Sequence, residues 1–193
     1  KKSDEDFFYY YTYLGDTAIV KQYIEFLDTT LAGIALLNEN GLVKVGTKIY
    51  SNDIIIIQNQ YDKNNQTVLQ NISSDKLKST IIFTNKNGNT IEQTAIDSIY
   101  ENGKFKIQKR VVKTLFSDKL NPLQKNAIDG EFKGNGNKNL YNNITVEIFN
   151  SDFCDQLPCP FLIEKKEFYT LKYDYVFDEK GRIKTEISTN MDA

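Results

Sequence analysis

Four stretches of the chain share one pattern, in which an apolar run meets a polar turn ending in glycine and an alternating run follows. They occupy 35–45, 81–88, 98–107 and 175–183, and turn at Asn40-Gly41, Asn87-Gly88, Asn102-Gly103 and Lys180-Gly181. Asn-Gly supplies the positive φ that a tight hairpin requires, and the flanking β-branched and aromatic residues suit a pleated surface. A chain punctuated in this way is committed to antiparallel hairpins. The glycines are irregularly spaced, which argues against a solenoid or propeller.

Strict alternation over 104–111, 143–149 and 167–176 reads as strands with one wet and one dry face. The stretch from Asp16 to Leu37 is ambiguous: Val20, Leu27, Leu31 and Ile34 keep helical spacing, yet the β-branched content suits strands with Asp28-Thr29-Thr30 as a turn. Its second half reads as strand and its first half stays open. Pro122 to Asn126 has the makings of one short helical turn, and the Gly- and Asn-rich segment 127–143 reads as a long surface loop. The expected fold is mainly β: an antiparallel sheet, sandwich or open barrel built of hairpins, with at most one or two short helices. Residues 1–13 read as an N-terminal tether and aromatic segment, and 14–193 as a single β-rich domain.

Composition then excludes whole classes of chemistry. The 193 residues include no histidine and no tryptophan. Without imidazole there is no Ser-His-Asp or Cys-His arrangement, and most zinc and iron sites lose their usual ligand. Carboxylates are the remaining common catalytic acids, and Asp174, Asp178 and Glu179 are the candidates for calcium ligation or an acid-base pair. Their spacing fits no calcium loop, and the turn at Gly181 accounts for them. Gly134-Asn135-Gly136-Asn137-Lys138 lacks the Gly-Lys-Ser/Thr ending of a phosphate-cradling loop. The expectation is therefore no catalytic residue, no metal, no cofactor and no enzymatic activity. A net charge of -2, with Arg110 and Arg182 the only arginines, lacks the basic footprint of a nucleic-acid binder. No run approaches the roughly 18 apolar residues of a membrane helix.

The two cysteines, Cys154 and Cys159, flank a short segment holding Pro158. That spacing can close a small disulfide ring if the Cα atoms come within about 7 Å, and the alternative is two free buried thiols. Neither a Cys-x-x-Cys redox pair nor a structural zinc fits two thiols at this spacing without histidine. A disulfide suits an exported protein. The chain begins at Lys1, and Met191 is its only methionine, so a processed chain whose targeting segment has been removed is expected.

Lys1-Lys2-Ser3-Asp4-Glu5-Asp6, a lysine-led acidic start, resembles the mature end of surface-exposed lipoproteins of Bacteroidota. That resemblance implies a lipid-bearing cysteine preceding Lys1, an outer-membrane, cell-surface location, and a hydrophilic tether between the acyl chains and the domain. Asp16-Thr17-Ala18, Asp28-Thr29-Thr30 and Asp97-Ser98-Ile99 look like the acceptor triplets of the general protein O-glycosylation of that phylum, which would place glycans on Thr17, Thr29 and Ser98. The local alternative is that Asp before Thr caps a helix or makes an Asx turn. The stretch 173–183, with Tyr173-Asp174 at its start, resembles a single tyrosine-aspartate (YD) repeat, a hairpin of bacterial surface proteins.

Aromatic residues complete the reading, with 12 Tyr and 12 Phe, densest in Phe7, Phe8, Tyr9, Tyr10, Tyr11 and Tyr13. Such a patch suits packing or docking against a partner, since tyrosine is favoured at interface hot spots. The expected role is a non-catalytic cell-surface lipoprotein, an accessory or interaction subunit whose partners are outer-membrane protein subunits in transport, secretion or barrel assembly. The alternative is a glycan- or ligand-binding module using exposed tyrosines.

Overall fold

The computed structural model describes residues 7–24, 27–50, 53–121, 137–157, 165–180 and 182–191. They form twelve strands: β1 (Phe7–Leu14), β2 (Thr17–Ile24), β3 (Leu27–Leu37), β4 (Val43–Tyr50), β5 (Asp53–Tyr61), β6 (Thr67–Ser73), β7 (Leu77–Lys86), β8 (Asn89–Glu101), β9 (Lys104–Leu120), β10 (Asn139–Asn150), β11 (Lys165–Phe177) and β12 (Ile183–Asn190). All twelve belong to one antiparallel sheet in which spatial order equals chain order. The expected hairpin-built β fold is what the chain adopts, as one sheet rather than a sandwich. The ambiguous stretch from Asp16 is strand in both halves.

Substantial contact joins only strands adjacent in sequence, so no second layer lies over the sheet among the described residues. Burial alternates along the strands, as in β7, so one face of the sheet is covered and the other is open.

Register identifies that covered face. A single row of paired residues runs Tyr13, Ala18, Ala35, Gly46, Ile57, Ile72, Ser79, Asp97, Gln108 and Asn150. Ala18 and Ala35 are 0% exposed and Ile57 4%, and with Val43 they make the buried cluster against which Leu37, Ile55 and Ile72 pack. Toward the C-terminus the same face turns aromatic. The rings of Phe116 and Tyr141 lie 5.6 Å apart and those of Tyr141 and Tyr173 5.7 Å apart.

Two expectations need correction. Asp28-Thr29-Thr30 is not a turn but lies inside β3, with Thr30 paired to Gln22. Its Asx-turn chemistry yields to the ladder bonds of a long strand. The loop expected over 127–143 ends earlier, because β10 begins at Asn139. Asn137 to Asn139 are clasped to the β7–β8 hairpin: the Lys138 N–H donates to Gly88 O, and the Asn139 N–H to Asn89 Oδ1. The helical turn expected at Pro122 to Asn126 lies outside the described residues.

Candidate functional site

Three turns at the end of the sheet where the odd-numbered strands finish share one device. In the β3–β4 turn, Asn38 Oδ1 accepts the N–H groups of Asn40 and Leu42. In the β5–β6 turn, Asp62 Oδ1 accepts those of Asn64 and Gln66, and in the β11–β12 turn Asp178 Oδ1 accepts those of Lys180 and Arg182. Each is a five-residue loop locked by one Asx oxygen at the i+2 and i+4 amides. Gly41 and Asn65 supply the positive φ, at 74° and 61°. A register shift follows each hairpin's turn-proximal pair, between Leu36 and Leu37, between Gln60 and Tyr61, and between Val176 and Phe177.

Bulges interrupt the ladder, and side-chain amides supply donors there. Val43 O accepts from both Asn59 Nδ2 at 2.9 Å and Tyr61 Oη at 2.6 Å. Gln70 Nε2 donates to Asn59 Oδ1 at 2.9 Å, and Asn85 Nδ2 to Thr67 O at 2.9 Å. Asn59 and Gln70 are buried. Burial pushes the Tyr61 hydroxyl up to about 12, against a smaller lowering effect from the Asn59 side chain.

Between the β1–β2, β3–β4 and β5–β6 turns opens a cleft of about 830 Å³, whose walls include Asp16, Leu36, Asn38, Asn40, Asn59, Tyr61 and Asp62. Asn40 Nδ2 donates to Asn65 Oδ1 at 3.1 Å, tying the β3–β4 turn to the β5–β6 turn. The cleft is open and polar.

The second candidate surface is the other face of the sheet. Strand-borne large apolar side chains that stay exposed fall almost entirely on it: Ile34, Leu36, Ile54, Ile56, Ile82, Ile96, Leu115, Phe168, Val176 and Ile187. Ile54 is 55% exposed and Ile82 52%, whereas exposed Tyr13 stands on the covered side. Polar and charged residues are interleaved, among them Lys78, Lys109, Glu147 and Lys172.

The residues singled out from sequence do not converge. Phe7, Phe8, Tyr9, Tyr10, Tyr11 and Tyr13 are in β1, an edge strand hydrogen-bonded to β2, and of these the structure describes only the Tyr13 side chain. Thr17 opens β2, its Oγ1 donating to Asp16 Oδ1 at 3.3 Å. Thr29 is in β3, and Ser98 is half-buried in β8 on the open face, paired with Lys78 and Ile107. Cys154 pairs with Phe105 in an isolated bridge and no free cysteine occurs among the described residues; Cys159 lies outside them. No group of three or more Cys, Asp or Glu side chains among the described residues is placed to hold a metal ion. Asn59, Tyr61 and Gln70 were missed. Their one signal was an amide inside the isoleucine-rich strand β5, where asparagine is disfavoured. The chain matches no family model, no curated protein and no solved structure.

Proposed function

We propose that the protein is a non-catalytic accessory or interaction subunit of an outer-membrane assembly in transport, secretion or barrel assembly. In this reading it is held at the cell surface by a lipid on a cysteine preceding Lys1, and its partners are outer-membrane protein subunits. The observation that supports the reading is the open face. A single-layer sheet normally covers one face and solvates the other with polar residues. Here the solvated face keeps a set of exposed isoleucines, leucine, valine and phenylalanine spread over β3 to β12. Aliphatic anchors among interleaved charges are the composition of an interface with apolar contacts and a polar surround.

Extraction of the native protein from outer membrane in mild detergent tests this. A stoichiometric membrane subunit is expected to co-purify with the wild type and to be lost from an Ile56→Glu, Ile82→Glu double variant that still gives a β-type circular dichroism spectrum. Recovery of both proteins without a partner removes the proposal. The finer features have tests of their own: thiol titration of unreduced, denatured protein should find no free thiol if Cys154 and Cys159 are bonded, and peptide-level mass spectrometry of the native protein should find hexose on Thr17, Thr29 or Ser98.

A further inference from the structure

We propose that the cleft between the β1–β2, β3–β4 and β5–β6 turns is a binding site for a neutral saccharide, presented as a short oligosaccharide rather than a charged ligand. The inference does not rest on the docking role of the open face, although Leu36 belongs to both surfaces.

Hydroxyl groups of a sugar both donate and accept, and side-chain amides match them because each offers an acceptor oxygen and two donor hydrogens. Asn38, Asn40, Asn59, Gln60 and Asn65 all border the cleft. Its ionised side chains nearly cancel, with the carboxylates of Asp16, Glu39 and Asp62 against the ammonium groups of Lys44 and Lys63. A site without a dominant sign of charge has little field with which to select an anion or a cation. Leu36 and Tyr61 supply apolar surface for the CH groups of a pyranose ring.

The cleft is also rigid. Shallow polar sites bind weakly when their loops must be ordered by the ligand, because ordering each side chain costs free energy. Here the ordering is already in place. Asn38 and Asp62 each lock their turn through two backbone amides, the Asn40 to Asn65 bond joins the two turns, and Tyr61 is pinned to Val43 O. By contrast, the side chains of Glu39, Gln60 and Lys63 engage no other described residue by hydrogen bond or ion pair, so they remain available to a ligand. A volume of about 830 Å³ falls within the range of ligand clefts, and its open shape suits an elongated molecule.

The test is titration of the isotopically labelled full chain, followed by backbone amide shifts, with cello-, malto-, manno- and xylo-oligosaccharides as probes and oligogalacturonate as the charged control. The expected result is saturable shifts with at least one neutral probe, confined to amides 15–17, 36–44 and 59–65. Oligogalacturonate should bind at least about tenfold more weakly, a difference of about 1.4 kcal/mol. Gln60→Ala and Lys63→Ala should each lower affinity about two- to tenfold, the net worth of one hydrogen bond, while co-purification of a membrane partner is unchanged. No saturable shift with any neutral probe overturns the proposal. So do shifts centred elsewhere on the sheet, equal binding of oligogalacturonate, or full affinity in both variants.

Discussion

The covered face of the sheet is made of two different materials. Across β2 to β6 it is aliphatic and small, with Ala18, Ala35, Gly46 and Val43 around Ile57. Across β9 to β11 it is aromatic, with Phe116, Tyr141, Tyr173, Tyr175 and Phe177. The first region allows close backbone approach and excludes water almost completely. The second covers its strands with large rings whose hydroxyl ends keep some access to solvent, since tyrosine carries a polar tip on an apolar body. A single layer with no opposing sheet can be covered in either way, and the two ways fail differently.

The largest expected difference is to truncation. Ile57→Ala should lower unfolding free energy by about 2–4 kcal/mol, as for a large-to-small change in a closed cluster, and Tyr173→Ala by only about half as much because its site is half-open. Urea denaturation followed by circular dichroism measures both; equal losses would erase the distinction between the regions. Next comes backbone approach. A Cβ on Gly33 would fall on the Thr47 carbonyl oxygen of the neighbouring strand, whereas one on Gly15 would meet open space. Gly33→Ala should therefore cost about 1–3 kcal/mol through overpacking. Gly15→Ala should cost less, about 1 kcal/mol, from its positive φ of 62° alone.

Alkaline titration probes both regions at once. Tyr61 borders the aliphatic region and Tyr175 lies in the aromatic one; burial is the main cause that pushes each up to about 12, with Glu186 adding to the rise at Tyr175. A raised folded-state value means that the folded chain holds these protons after the unfolded chain has released them. The associated stability is complete below about pH 10, the ordinary tyrosine value, and is lost as pH rises toward about 12. Phenolate absorbance should lag behind that of free tyrosine and then rise together with loss of the β spectrum. Independent titration with the sheet intact would show that neither hydroxyl is tied to folding.

The smallest effect expected is at the β11–β12 turn. The Arg182 backbone N–H holds the Asp178 carboxyl below its ordinary value, helped by the Arg182 guanidinium at 2.7 Å and the Lys180 N–H. A lowered value gives stability that is present above the ordinary carboxylate range and fades as pH falls through the lowered one. The protection factors of the Lys180 and Arg182 amides should fall in acid without global unfolding. The Asn38 turn, whose lock carries no charge, should show no such dependence.

How much of this was legible in the sequence follows from what each feature depends on. The Asn87-Gly88 and Asn102-Gly103 hairpins were readable because both residues of each turn need positive φ, and all four have it. The Asp62 to Gln66 turn escaped notice because Asn65, not glycine, takes the left-handed conformation. Asp28-Thr29-Thr30 carried a local turn signal that strand pairing overrode. The cleft was invisible in sequence: Asn40 and Asn65 are far apart along the chain, and only the side-by-side stacking of two hairpins brings their amides together. Strand identity is local, whereas a site formed by neighbouring turns depends on register.

Chain order and spatial order coincide from β1 to β12, and that fixes how the sheet can assemble. Most loop closures in the meander are short, the β9–β10 and β10–β11 connections excepted, so the entropic cost of pairing the next strand is small at most steps. Folding can nucleate at any hairpin and zip outward in both directions, as in quasi-one-dimensional repeat proteins. Sheet width is then an adjustable quantity: adding or removing a hairpin lengthens or shortens the array and leaves the remaining strands with the neighbours they had.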